Sequence, residues 1–301
     1  RISILPSMYG ETIVIRVLSG RVDFIENNEL GMLPREKKLF QEALSKKQGL
    51  ILTTGPTGSG KTSTLYTALK LLNQEAVNII SIEDPVEYRI PGITQIQVNE
   101  KAGMTFGRGL RALVRQDPDI VMIGEIRDEE TAEIAIHAAL TGHLVLSTLH
   151  TNGAASAPLR LIDMGIEPYL LAAPLSLVMA QRLARTLCPS CKTKKIVTDS
   201  MCRQYGIPFS YIGKEVYEAP GCTSCQDKGT KGRTGVFEMI PFGKPERELL
   251  RHDFSVDRLQ ERMKQQGYAT MAESALAMME EGILSPGEAM QIAAGEASYG
   301  H

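Results

Sequence analysis

No apolar run in the chain approaches the roughly 20 residues that a membrane-spanning helix needs, because Gly, Pro or charge breaks every hydrophobic stretch. A transmembrane segment is not expected. An excess of positive charge is also missing: 33 Lys plus Arg stand against 35 Asp plus Glu, a formal net charge of -2. The chain therefore carries no overall field to draw in nucleic acid or anionic lipid, and a polyanion would have to be bound locally. Internal repeats and low-complexity tracts are absent, which excludes repeat arrays. Cysteine is scarce, at five residues, and the odd number with two Cys-x-x-Cys pairs excludes a simple disulfide framework. That usage suits a reducing compartment, and a cytosolic protein is expected.

What the chain does have is ample apolar material for a packed core: 43% hydrophobic and 23% charged residues over 301 positions rule out general disorder and allow two lobes. The first residue is Arg and residues 1–20 already alternate like a strand, so a fragment of a longer protein is expected. The β-branched run Thr12 to Leu18 reads as a strand that belongs partly to an upstream unit. Pro34 suits a first helical position, and Leu39, Ala43 and Leu44 continue a half-polar helix to about Lys47.

From Gly49 onward, short apolar runs (Leu50 to Leu52, Ile79 to Ile82, Ile120 to Ile123, Leu144 to Leu149) alternate with helical patterns. This is the signature of an α/β fold with a mostly parallel, buried sheet. Beyond Asn152 the pattern turns helical, first to Met164-Gly165 and again from Pro168 to about Arg185. A Gly- and Lys-rich stretch with the cysteine pairs follows, then a helical region with two candidate capping boxes, Thr270 to Glu273 and Ser285 to Glu288. The expected division is 1–30, the end of a preceding domain and linker; 31–155, the α/β core; 156–187, a helical extension; 188–237, a cysteine lobe; and 238–301, a helical C-terminal region.

Gly55-Pro56-Thr57-Gly58-Ser59-Gly60-Lys61-Thr62 fits G-x-x-x-x-G-K-[ST], with the apolar run Leu50 to Thr54 before it and a helical pattern from Ser63 to Leu72 after it. Glycines are needed because larger residues would keep backbone N–H groups from wrapping phosphates, and a helix N-terminus adds partial positive charge. Lys61 supplies full charge at the β and γ positions, and Thr62 a hydroxyl for Mg²⁺. ATP is the expected ligand, and Ser63 opens the helix beside it.

Hydrolysis also needs acids, and open parallel sheets place ligands at the carboxyl ends of their strands. Ile79 to Ile82 runs into Glu83-Asp84-Pro85, and Ile120 to Ile123 into Gly124-Glu125. With Gly124 where a second nucleotide motif usually has Asp, Glu125 is expected to join the magnesium shell, and Glu83 to deprotonate the attacking water. The two roles can be exchanged, and one acid could instead pair with Arg127. His150, at the same strand-terminal edge, is a candidate γ-phosphate sensor or simply a structural histidine; His143 lies at the opposite end. Arg108, Arg111 and Arg115 recur at helical spacing as one basic face, either solvated or contacting DNA or a neighbouring subunit. No aromatic residues interleave with them, which weakens single-strand binding.

Cys188, Cys191, Cys222 and Cys225 form two knuckles separated by a 30-residue spacer. Four thiolates make a closed, structural zinc site, with a small lobe hung between the knuckles. Cys202 is left over.

Taken together, Gly55 to Thr62, Ile82-Glu83-Asp84-Pro85-Val86-Glu87, Arg115 to Asp119 through Gly124 to Asp128, and Thr141-Gly142-His143 through His150-Thr151-Asn152 resemble the type II secretion and type IV pilus assembly ATPases. The resemblance spans nearly the whole chain, and in that family the four blocks are called Walker A, Asp box, Walker B and His box. It implies a RecA-like core, a homo-hexamer with ATP between a preceding N-terminal domain and the core, and force passed to an inner-membrane platform protein from the cytoplasmic side. The tetracysteine lobe marks secretion and pilus-extension members. The family also directs arginines of the preceding domain at the phosphates, which singles out Arg1 and Arg16. The rival reading is a DNA-dependent ATPase, since a RecA-like core beside a zinc ribbon also occurs there; net charge opposes it. A GTPase is disfavoured by the lack of an Asn-Lys-x-Asp segment.

Overall fold

The computed structural model describes residues 2–15, 30–252 and 254–297. Arg1 and Arg16 lie outside the described residues. Ile2–Ser7 (β1) and Gly10–Ile15 (β2) form an antiparallel hairpin whose residues are all exposed, and β2 is the described part of the strand expected at residues 12–18.

The central sheet is built from Gly49–Thr54 (β3), Ile79–Glu83 (β4), Thr94–Gln97 (β5), Ile120–Ile123 (β6), Leu144–Leu149 (β7), Leu175–Leu187 (β8) and Thr230–Pro241 (β11). Its order is β11-β8-β3-β7-β6-β4-β5, and every pairing is parallel except β11 with β8. The four apolar runs of the sequence are four of these strands. They read as continuous hydrophobic runs because both faces of the sheet are covered. Alternation then divides each strand between two cores. Leu50, Leu52, Ile80, Ile82, Val121 and Ile123 face one, and Ile51, Ile79, Ile120 and Met122 face the other.

The second face is covered by Pro34–Leu44 (α1) and Lys61–Leu72 (α2), which contribute Phe40, Leu65, Tyr66 and Leu69. Pro34 does open α1, and the Glu36 carboxylate accepts from the Leu33 N–H at 2.8 Å; the helix ends at Leu44, three residues before Lys47. The first face carries Phe106–Leu113 (α3), Glu129–Leu140 (α4), Ser156–Asp163 (α5) and Pro168–Ala172 (α6), among them Leu110, Leu113, Ala135, Leu161 and Leu171.

Residues 175–187 correct the helical reading of 156–187. The helix beginning at Pro168 stops at Ala172, and β8 follows, buried from Leu175 through Gln181. Its Leu, Met, Ala, Gln and Arg residues are good helix formers, but β8 hydrogen-bonds to β3 on one side and β11 on the other, and tertiary pairing overrides propensity. Residues 230–237 likewise belong to β11 in the main sheet, not to the cysteine lobe. The lobe itself holds Thr193–Ile196 (β9), Asp199–Tyr205 (α7) and Glu215–Glu218 (β10), with β9 and β10 paired antiparallel.

After β11 the chain is helical: Lys244–His252 (α8), Val256–Gln265 (α9), Met271–Glu280 (α10) and Pro286–Ala297 (α11). The Thr270 capping box forms in full, Thr270 Oγ1 accepting from Glu273 N–H at 3.2 Å and Glu273 accepting from Thr270 N–H at 2.9 Å. The second forms by half. Ser285 Oγ accepts from Glu288 N–H, but the Glu288 carboxylate accepts from Arg185 N–H of β8 at 2.7 Å, so it docks α11 to the sheet. No helix among the described residues is long and apolar enough to cross a membrane.

Two buried carboxylates join the C-terminal helices to the rest. Glu238 accepts from Ala154 N–H at 2.7 Å and Met271 N–H at 3.3 Å. Glu36, 6% exposed, accepts from the Ser274 hydroxyl at 2.7 Å, and burial raises its pKa from the usual carboxylate range to about 7 against the pull of its two donors. A folded-state pKa above the unfolded one means that the native chain holds the extra proton, so this stabilisation is complete below about 4.5 and is lost as pH rises through 7. Glu36→Gln reproduces the neutral form. Thermal unfolding of the two chains should match near pH 4.5, whereas at pH 8 the variant should unfold several degrees higher, reflecting at most about 3 kcal/mol.

Candidate functional site

In-register parallel pairing sets the carboxyl ends of four strands along one edge. Thr54 of β3 lies opposite Leu149 of β7, and Ile123 of β6 lies between Ser147 of β7 and Ile82 of β4. The segments that leave this edge are Gly55 to Gly60, Glu83 to Tyr88, Gly124 to Asp128 and His150 to Gly153, the four places where the motifs fall.

The loop after β3 needs glycine for two reasons. Gly55 and Gly60 have φ of 144° and 90°, a region side chains disfavour, and a Cβ on either would press into Gln181 of β8. Helix α2 starts at Lys61 with Gly60 as its N-cap, and no side chain caps it. Ser59 Oγ is buried with no partner among the described residues. An uncapped helix N-terminus, an orphaned hydroxyl and a backbone too close for side chains fit a phosphate ligand. Lys61 folds back on the loop, donating to Gly55 and Pro56 carbonyls at 2.7 and 3.1 Å. Burial lowers its pKa, with the Glu125 charge acting in the opposite direction. Beside the loop opens a cleft of about 280 Å³ lined by Thr57, Ser59, Arg182, Glu288 and Ile292.

Glu125 is held by the strand ends around it. Ser147 Oγ donates to Ile123 O at 2.9 Å, Thr148 Oγ1 to Gly124 O at 2.8 Å, and Ile126 N–H to Thr148 O at 3.0 Å. Its carboxylate forms an ion pair with Arg127 and lies 3.3 Å from His150 Nε2. The pairing with Arg127 foreseen for one acid thus belongs to Glu125, and His150 meets that acid directly. Next to His150, Thr151 hydrogen-bonds to Thr54 Oγ1 through its own hydroxyl at 2.7 Å and its N–H at 2.8 Å, which ties this loop to the end of β3. His143, at the far end of β7, sits 2.9 Å from Ala138 O.

Glu83 is in a different setting. It is 3% exposed and points to the α2 side of the sheet, where Ser81 donates to it at 2.6 Å, Gln95 at 3.1 Å, and Tyr66 of α2 also donates. Burial, and then the Glu83 carboxylate, raise the Tyr66 pKa, so the phenol remains a donor. Tyr66, Gln95 and Gln181 were not foreseen, and Thr151 was read only as part of the His150 to Asn152 block. A Tyr at a core-facing helical position was the one sequence signal; Gln181 was hidden by the helical reading of β8, and Gln95 sits on a four-residue strand with no apolar run.

The basic face is smaller than its spacing implied: Arg111 is paired with Glu130 of α4, and Arg108 donates to Gly103 O at 3.2 Å.

The four knuckle cysteines converge, with all Sγ atoms within 4.8 Å of one another. The Cys188–Cys222, Cys191–Cys225 and Cys222–Cys225 separations are 3.9, 3.9 and 3.7 Å. A tetrahedron with metal–sulfur bonds of about 2.3 Å has edges of about 3.8 Å, so the donor set fits a tetrahedral, thiophilic ion. Positive φ at Gln226 and Asp227 turns the second knuckle, and Cys188 N–H donates to Gly229 O at 2.9 Å to bring the two together. Cys202, buried on α7, stands apart, its Sγ 3.9 Å from Pro208 O.

A family model described as type II/IV secretion system protein matches residues 1–291. The type II secretion system protein E of Pseudomonas aeruginosa is 50% identical over 255 residues, which cover 85% of this chain and 51% of that protein. The type IV pilus assembly ATPase PilB of Myxococcus xanthus is 45% identical over 284 residues, covering 94% and 50%. This chain thus spans about half the length of these relatives. Among solved structures, the pilus retraction motor PilT with bound ADP aligns at a TM-score of 0.70 and 28% identity, over 96% of this chain and 72% of that one.

Thr64 of α2 is fully buried and donates to Gln181 Oε1 at 2.7 Å, which clamps the helix behind the phosphate loop to β8. Gln181→Leu strands that hydroxyl and should cost about 1–3 kcal/mol. In denaturant unfolding, adding Thr64→Val should recover part of the loss, giving a coupling on the order of 1 kcal/mol; strictly additive effects would show that the clamp carries no energy.

Proposed function

Because the chain belongs to the type II/IV secretion system protein family, we propose that it is the ATP-hydrolysing part of a hexameric motor that powers assembly of pilus or pseudopilus fibres. The observation that carries this reading is the meeting of the phosphate loop, Glu125 and His150 at one sheet edge. The core is RecA-like, and the likeness to the PilT structure supports that architecture. Force passes to a platform protein at the cytoplasmic face of the inner membrane.

Binding ATP requires Lys61 to leave the Gly55 and Pro56 carbonyls and turn its ammonium to the β and γ phosphates, while the loop N–H groups wrap them. Thr62 and Glu125 would hold Mg²⁺, which neutralises charge developing on the transferred phosphoryl group. Holding the metal would compete with Arg127 for the Glu125 carboxylate, and His150, 3.3 Å from that acid, would serve as the γ-phosphate sensor.

For deprotonating the attacking water we propose the acidic loop that begins at Glu83. Three donors on Glu83 favour a holding role for it in this arrangement. On the same loop Glu87 is half-buried and its carboxylate has no partner among the described residues, which leaves it open to water. Arg1 and Arg16 are proposed to complete the site from the preceding domain.

The ATPase rate per subunit, followed across protein concentrations with and without duplex DNA, tests the motor reading. Specific activity should climb with concentration and ignore DNA, and Lys61→Ala should abolish turnover. Stimulation by DNA at fixed protein concentration, with strong salt sensitivity, would establish the DNA-dependent reading instead. The pairing of Arg111 with Glu130 weighs against that outcome.

We also propose that the four cysteines hold structural zinc, which fixes the lobe between β8 and β11 and takes no part in hydrolysis. Metal analysis of the purified chain should find a single zinc per chain, lost in Cys225→Ser. Hydrogen exchange in that variant should rise across residues 188–229 while the amides of β3 and β6 stay protected.

A further inference from the structure

Helix α2 does more than present the phosphate loop at its N-terminus. One and a half turns on, it extends Tyr66 into the loop that follows β4. The phenol oxygen donates to Glu83 and accepts from the backbone N–H groups of Glu87 and Tyr88 at 3.2 and 3.4 Å. The ring packs edge-on against that of Tyr88, with centroids 5.9 Å apart. From the neighbouring strand Gln95 of β5 makes three bonds to the same segment: its amide nitrogen donates to Glu83 at 3.1 Å and to Tyr88 O at 2.9 Å, and its oxygen accepts from Ile90 N–H at 2.7 Å. Six hydrogen bonds from two side chains therefore hold residues 83–90, a segment outside helix and strand from Asp84 onward.

We infer that Tyr66 and Gln95 are positioning residues for ATP hydrolysis, fixing the acidic loop Glu83 to Ile90 relative to the helix that carries Lys61. The inference rests on the ATPase reading above. Lys61 and Tyr66 share one rigid helix, so phosphate bound at its start and the acidic loop held at its middle keep a constant separation. That separation matters because a misplacement of about 1 Å at a reacting centre can cost about 10²-fold in rate. The Tyr66 hydroxyl makes no bond to the phosphate loop, so removing it should leave nucleotide binding intact. Buried Glu83 would lose one of its three donors, and the Glu87 and Tyr88 amides would lose their acceptor.

Tyr66→Phe tests this, since it deletes one oxygen and keeps the ring packed. With ATP as substrate, kcat should fall by about tenfold or more, while KM and the affinity for a fluorescent ATP analogue change less than about threefold. Native-state hydrogen exchange should accelerate at the Glu87 and Tyr88 amides and stay unchanged at Ile90, which Gln95 holds. Gln95→Ala should lower kcat in the same way but accelerate exchange at Ile90. Unchanged kcat in Tyr66→Phe, or a parallel loss of kcat and nucleotide affinity, would overturn the inference. Should Tyr66→Phe fail to fold, Gln95→Ala decides by the same criteria. If the parent chain itself shows no ATPase activity under any condition, the ATPase reading fails, and the exchange pattern alone then reports only the loop's architecture.

Discussion

Parallel pairing of β3 between β7 and β8 is the constraint on which the site depends. A parallel ladder brings all carboxyl ends to the same edge, so the loops that leave them meet without any contact having been designed between them. Moving β8 out of the sheet would remove Gln181, which shapes the phosphate loop at Gly55 and Gly60 and clamps Thr64. It would also release α11, docked on β8 through Glu288 and through Arg182, whose guanidinium donates to Gly295 O at 3.2 Å. The long strand is thus at once a wall of the Gly55 to Gly60 loop, a partner of the antiparallel edge strand and the stem of the cysteine lobe.

Three carboxylates, two at this edge and one away from it, differ in how their charge is met. Glu125 shares the field of Lys61 and faces the Arg127 guanidinium and the His150 ring, both of them ionisable partners. Glu83 is balanced by neutral donors in a buried pocket, an arrangement that fixes geometry instead of exchanging charge. Glu36, away from the site, is balanced by too little, and its proton affinity rises accordingly. Similar carboxylates thus differ in partners and in proton affinity according to what surrounds them.

The cysteine lobe is a short excursion from the main sheet that shares its apolar core with the C-terminal helices. Its strands are four residues each, all of β9 exposed, and its buried side chains Val197, Cys202, Ile207 and Val216 join the same apolar cluster as Met278 and Met279 of α10 and Ile292 of α11. The four cysteine sulfurs meet at the neck, where the chain leaves β8 and re-enters β11, so a metal held there would constrain the whole excursion at its base.

The sequence by itself determined the phosphate loop, the four buried strands, the tetracysteine donor set and the family to which these belong. Each is written in a short contiguous stretch whose chemistry is local: glycines where backbone must approach phosphate, apolar runs where both sheet faces are covered, thiols two residues apart. Only the tertiary structure decided the state of residues 175–187, because Leu, Met, Ala, Gln and Arg favour a helix until two neighbouring strands satisfy their backbone from either side. It alone separated the two acids, since Glu83 and Glu125 both follow apolar strands, and what distinguishes them is Tyr66 from one helix, Gln95 from an edge strand and Arg127 from a loop. The same holds for the second capping box, where a 2.7 Å bond to the distant Arg185 amide took Glu288 from its local partner. Hydrogen bonds between groups far apart in sequence leave no periodic trace, and this is why they became visible only in the fold.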